Sequence, residues 1–262
     1  MTIKKRKSGL TVVELLVVIG IIAVVVAISL PAFNAMQKSF DSTGAEGMIS
    51  AALSTARTLA ISRQQYVGVR FQKEYSTQSI LDTDQYMIFV IYKESKEMGN
   101  LGDAFHAING YKPMKLPSNI GVLDMKLGNS ADIASDGQIN EDMELRDTTA
   151  FSIVFSPAGK LVIHDVQTRN KDGKDYNDSP GSEDNVFNIE AKVENGIGMF
   201  VQDDDDALTP DGLDKEQSRN CFRIYNAETL KKLNVDERYD KYIKDLPVFY
   251  INPYTGGIIE NN

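Results

Sequence analysis

Four residue groups in this 262-residue chain could do chemistry. The first is Glu14, a carboxylate set inside an apolar run and preceded by Lys4, Lys5, Arg6, Lys7 and Gly9. On insertion scales an unpaired carboxylate at such a place costs a few kcal/mol, so a positive partner is expected for it. The second is the oxygen-rich stretch from Asn170 to Asn185, where Asp172, Asp175, Asn177 and Asp178 are the candidate ligands for Ca²⁺. Acidic Gly/Asp/Asn loops are also the ordinary chemistry of solvated turns. The third is the pair His106 and His164, far apart and in no metal-ligand spacing, and the fourth is the lone Cys221, which excludes an intrachain disulfide. Asp132 and Asp136 imitate part of an EF-hand loop. Ala134 and Met143 stand where two of its ligands belong, so the pattern fails in detail.

The element that positions Glu14 is the run LTVVELLVVIGIIAVVVAISLPAF, Leu10 to Phe33. As a helix it measures roughly 36 Å, enough for a hydrocarbon core of about 30 Å. The basic cluster ahead of it keeps the N-terminus cytoplasmic and places the rest of the chain outside. A cleavable secretory signal would be shorter and would end in small residues. Here the apolar run continues into more helix. Glu46, Ser50, Ser54 and Arg57 share one face, whereas Met36, Phe40, Met48, Ala52, Ala56 and Ala60 share another with Ile49 and Leu53 beside it. A helix from Leu10 to Ser62 would be roughly 80 Å long. Pro31, which removes a helix hydrogen bond, and Gly44 and Gly47 are its weak points.

The segment KSGLTVVELLVVIGIIAVVVAISLPAF resembles the N-terminal signal of type IV prepilins and pseudopilins. The resemblance implies that a prepilin peptidase at the inner membrane cuts between Gly9 and Leu10 and that Leu10 is then N-methylated. Counted from Leu10, Glu14 is the fifth residue and Pro31 the twenty-second, positions at which the family carries an assembly glutamate and a helix-loosening proline. Leu10 stands where Phe is usual. In this family the new terminal amine of a neighbouring subunit neutralises the glutamate, so cleavage makes the cation that Glu14 needs. The segment ALSTARTLAISRQQYVGVRF, Ala52 to Phe71, looks more narrowly like minor pseudopilin H of type II secretion. The implied partners are the peptidase, other pilin or pseudopilin subunits, and an inner-membrane assembly platform. The implied location is a single pass of the inner membrane with a periplasmic head, then a filament.

The remainder reads as strands: Tyr66–Gln72, Tyr86–Tyr92, Ile120–Leu127, Phe151–Phe155, Lys160–His164, Val186–Ile189, Phe222–Tyr225 and Val248–Ile251, with turns at Ser156–Gly159 and Asn252–Gly257. The expected fold is α+β, a long helix packed on an antiparallel β-sheet head. The expected organisation is leader 1–9, membrane helix 10–33, amphipathic continuation 34–63 and head 64–262. Residues 125–146 show no period and read as a long excursion. With the four leader cations set aside, 24 basic residues face 37 acidic ones, which argues against a broad grip on nucleic acid. No nucleophile elbow, P-loop, dinucleotide fingerprint or H-E-x-x-H motif is present. The expected role is a filament subunit of a type II secretion system or type IV pilus, without catalysis. The alternative is a surface pilin whose head captures a secreted substrate, DNA or another surface.

Overall fold

A computed structural model of the chain describes residues 12–76, 79–94, 104–124, 142–174, 178–203 and 216–261. The chain divides into two units, Met1–Asp41 and Ser42–Asn262. Helix α1 (Val12–Arg63) runs without interruption through Pro31, Gly44 and Gly47, so none of these weak points breaks it. In the first unit Leu16, Val17, Val18, Ile19 and Ile21 are 46–64% exposed. Four consecutive residues at 100° each go all the way round a helix, so this part is apolar on every side that is described. Among the described residues no helix is long and apolar enough to cross a membrane. Most side chains of the expected span lie outside the described residues.

In the second unit α1 buries Ala45, Ile49, Ala52, Leu53, Ala56 and Ala60, the 3.6-residue stripe of an amphipathic helix. Met48 was expected on this stripe but is 36% exposed. It lies one residue, and hence about 100°, from Ile49. Four of the six stripe residues are alanines, which let the helix backbone approach the sheet closely.

The chain then runs through β1 (Val67–Lys73), β2 (Gln85–Lys93), β3 (Ala104–Ala107), β4 (Met114–Lys115), β5 (Ile120–Leu123), α2 (Asp142–Thr149), β6 (Phe151–Phe155), β7 (Leu161–Val162), β8 (Asp165–Val166), β9 (Phe187–Asn188) and α3 (Glu190–Glu194). It ends with β10 (Phe200–Val201), β11 (Glu216–Gln217), β12 (Cys221–Asn226), α4 (Ala227–Lys231), α5 (Arg238–Lys241), β13 (Val248–Ile251) and β14 (Ile258–Asn261). The first sheet has the order β3-β2-β1-β6-β7, with β4 also on β2; the second is β14-β13-β12-β5. Pairing within both is antiparallel. Two short pairs, β8/β11 antiparallel and β9/β10 parallel, complete the set.

The first sheet is buried on both faces. Val67, Val69, Phe71, Phe89, Ile153 and Phe155 pack against α1, and Val122, Phe222, Ile224, Phe249 and Ile251 of the second sheet join the same core. On the opposite face Ile88, Val90 and Val154 lie under Phe105, Val166, Phe187 and Phe200. Double burial is why Tyr86–Tyr92 is an unbroken apolar run rather than an alternating one. A third cluster gathers Leu123, Leu145, Tyr225, Leu230 and Ile243. Leu145 belongs to α2, so the end of the expected 125–146 excursion is helical; residues 125–141 lie outside the described ones. One apolar anchor, with Thr149 Oγ1 bonded back to the Leu145 carbonyl at 2.6 Å, is too little to register as a period.

Both expected turns close by backbone hydrogen bonds, Gly159 N to Ser156 O at 2.7 Å and Gly256 N to Asn252 O at 2.8 Å. Gly159 has φ +72°, and a Cβ there would lie 2.6 Å from Ile61 Cδ1, so the turn needs glycine twice over. Arg57 Nε donates to the Gly159 carbonyl at 2.8 Å and fastens the turn to α1.

Candidate functional site

Of the residues singled out for processing and assembly, Gly9 and Leu10 lie outside the described residues. Glu14 and Pro31 fall within α1, but their side chains are likewise outside. In the acidic loop Asp172 and Asp178 are described, and Asp175 and Asn177 are not. Asp172 Oδ2 accepts hydrogen bonds from Ser182 Oγ at 2.8 Å and Glu183 N at 3.1 Å. Lys174 Nζ donates to the carbonyls of Pro180 and Gly181 at 2.7 and 3.3 Å. A lysine ammonium thus occupies carbonyls of the kind a Ca²⁺ ion would use, and Asp172 is turned toward donors. Among the described residues no group of three His, Cys, Asp or Glu side chains is placed to hold a metal.

The histidines are structural in setting. His106 is buried on β3 with Nδ1 2.9 Å from the Ala107 carbonyl oxygen. The His164 ring sits among Tyr66, Tyr92 and Phe105, with centroids 4.7, 5.2 and 5.4 Å away. Cys221 is half-buried on β12. Burial pushes its thiol pKa up, the unreactive direction.

What sequence reasoning missed is a buried ionic seam on the face of β1 turned away from α1. Arg70 is wholly buried. It donates from Nη2 to Asp203 Oδ1 at 2.8 Å, from Nη1 to Glu216 Oε1 at 2.9 Å and from Nε to Gln72 Oε1 at 3.2 Å. Asp203 Oδ2 accepts from Thr168 N and Oγ1 at 2.7 and 2.8 Å. Glu216 Oε2 accepts from Arg219 Nη2 at 2.8 Å, and Arg219 Nε reaches Asp124 Oδ2 at 2.6 Å. Two guanidinium groups and three carboxylates, drawn together from four separate stretches of chain, therefore hold one another. These groups point at one another, so the seam fastens segments together. A lone arginine in VGVRFQK was the one available signal, since its position on β1 alternates with Val69 and Phe71, which face the helix.

Burial has consequences for titration. It pushes Asp203 up, against the pull of Arg70 and the Thr168 hydrogen bonds. Burial pushes Glu216 up as well, against the opposing pull of Arg70 and Arg219, whose guanidinium groups take both of its oxygens. Burial lowers Lys73 from 10.5 to about 8, against the pull of Asp84; its Nζ donates to the Thr83 carbonyl at 2.7 Å. Between about 8 and 10.5 the unfolded chain holds a proton at Lys73 that the folded protein has released, so stability climbs with pH through that window. Urea midpoints should therefore rise above pH 8, and Lys73→Met should flatten the rise. A rise unchanged in this variant would show that other groups set the profile.

Residues 4–30 match the family model described as the prokaryotic N-terminal methylation motif. The chain carries that motif. The matched residues hold Gly9, Leu10 and Glu14 within their bounds. They do not extend into the second unit. Over 49 residues the chain is 43% identical to the phosphoprotein of vesicular stomatitis New Jersey virus (strain Missouri subtype Hazelhurst), a match that covers 19% of this chain and 18% of that protein. The chain thus spans less than a fifth of that relative's length, too little to carry a role across. No solved structure matches the chain.

Proposed function

We propose that the chain is a subunit of an envelope-spanning filament, a type II secretion pseudopilus or a type IV pilus. In this reading it is made as a precursor, cut between Gly9 and Leu10 and methylated at Leu10. It is held in the inner membrane by the apolar first part of α1 with its head in the periplasm, passed to an assembly platform, and packed through its helix. The methylation motif at residues 4–30 carries the reading. The exposed apolar residues around α1 at Leu16–Ile19 support it, because such a helix needs lipid or other helices around it. The head then supplies a rigid surface and no catalysis. The likeness to minor pseudopilin H belongs to this proposal, resting on the small-residue helix that runs into β1.

Co-expression with a prepilin peptidase, followed by mass spectrometry of the N-terminus, tests the processing step. The expected product begins at Leu10, with or without a methyl group; an intact basic leader alongside a processed control prepilin would refute it. Glu14→Ala should insert and be cut normally yet enter filaments poorly, read as the filament-bound fraction in sheared material. Normal incorporation would remove Glu14 from the assembly step.

The alternative, a surface subunit that captures a secreted substrate, DNA or another surface, draws on one exposed feature of the head. Tyr254 is 67% exposed with Lys160 Nζ 5.6 Å from its ring centroid, and Ile163 nearby in sequence is 56% exposed.

A further inference from the structure

Between the turn after β3 and the loop ahead of β9 lies a cleft of about 250 Å³, bordered by Asn109, Tyr111 and Lys112 on one side and Lys171, Asp184 and Asn185 on the other. One wall is set by a tight turn: Tyr111 N donates to the Ile108 carbonyl at 3.2 Å, and Gly110 takes φ +87°. The Tyr111 ring is braced edge-on against Phe89, with centroids 5.2 Å apart and planes at 69°. Tyr111 nevertheless remains 37% exposed. The opposite wall is organised by Asp184, whose Oδ2 accepts from Lys171 N at 2.7 Å and whose Oδ1 accepts from Val186 N at 3.0 Å. Asp184 is 1% exposed, and its two oxygens are engaged by the wall itself.

Lys171 Nζ forms a long ion pair with Asp184 Oδ1 at 4.0 Å while its own side chain stays 39% exposed, and Lys112 is exposed on the other lip. Two lysines against one carboxylate leave the lining of this cleft net positive in a chain with 37 acidic residues. Beside them are a braced aromatic ring and the two exposed amides of Asn109 and Asn185. Pockets for drug-sized ligands run from about 300 to 1,000 Å³, so this cleft suits something smaller, a single ring. The amides pair with hydroxyl groups, the tyrosine ring covers an apolar C–H face, and the ammonium groups take an anionic group.

We propose that this cleft binds a monosaccharide bearing a carboxylate, seated on Tyr111 and held at its acid group by Lys112 and Lys171. The cleft belongs to the second unit, so the proposal stands independently of the filament reading.

The test is saturation-transfer NMR on the full chain in detergent micelles, with glucuronate as probe and glucose as the neutral control. Transfer to glucuronate is expected, with little to glucose. The Lys112→Gln/Lys171→Gln double variant should weaken glucuronate binding about tenfold, as expected for loss of charge-assisted contacts, and added salt should weaken it in the unmodified chain. Tyr111→Ala should abolish transfer while the far-ultraviolet circular dichroism stays unchanged. Equal transfer to both sugars would overturn acid recognition. Absence of transfer, or transfer indifferent to all three substitutions, would overturn the site.

Discussion

Arg70→Met lowers the stability of the second unit by about 3–5 kcal/mol, the range expected when one partner of a buried ion pair is removed. The methionine fills much of the same volume, so the cost is electrostatic rather than a cavity. Asp203 keeps Thr168 and Glu216 keeps Arg219, but each loses the guanidinium that neutralises it inside the protein. Arg70→Lys should recover only part of the loss, because one ammonium cannot address Asp203, Glu216 and Gln72 in the fixed fork that guanidinium supplies. Urea unfolding followed by circular dichroism reads both variants. A loss below about 1 kcal/mol for Arg70→Met, the scale of an exposed pair, would mean that the seam is hydrated in solution.

Phe71→Ala should cost a similar amount, about 3–5 kcal/mol for a buried phenylalanine. Phe71 is wholly buried at the join of the two sheets. Its ring stacks on Phe151 at 4.9 Å and lies 6.3 Å from Phe222, which in turn stacks on Phe249 at 5.6 Å. The four rings form one column from β6 and β1 across to β12 and β13. Removing the second ring opens a void that no alanine-rich helix face can fill. Phe71→Leu, which keeps the packing volume more nearly, should recover much of the loss. If Phe71→Ala unfolds at the same urea concentration as the parent chain, the column is not a determinant of stability.

The contrast between these two residues, adjacent on β1, also separates what is readable in a sequence from what is not. VGVRFQK announces a strand, and Phe71 announces a core position, because apolar side chains on a pleated strand follow a local rule of alternation. The same holds for Phe151–Phe155 and Val248–Ile251, whose limits were legible to the residue, and for the turns at Ser156–Gly159 and Asn252–Gly257. The antiparallel α+β character follows from these local patterns. So does the helix stripe at Ala52, Leu53, Ala56 and Ala60, while Met48 shows how one residue of phase error moves a side chain out of the core.

Other elements had no local signature. AFHA at β3 offers one large apolar residue in four, and it becomes a strand because β2 supplies its hydrogen bonds. β8, β10 and β11 are two residues long and exist only where distant segments meet. The ionic seam is the extreme case. Arg70 and Glu216 are 146 positions apart, and nothing in either neighbourhood names the other.

The N-terminal motif is the reverse case. Basic residues, Gly9, Leu10, Glu14 and the apolar run are contiguous, and the motif they make is carried by spacing along the chain, so it was read from the sequence alone. Which carboxylates Arg70 holds, what covers each face of the first sheet, and which lysines border the cleft beside Tyr111 were decided by the tertiary structure. The physical reason is that burial and charge neutralisation are properties of a three-dimensional neighbourhood, whereas periodicity and cleavage signals are properties of consecutive residues.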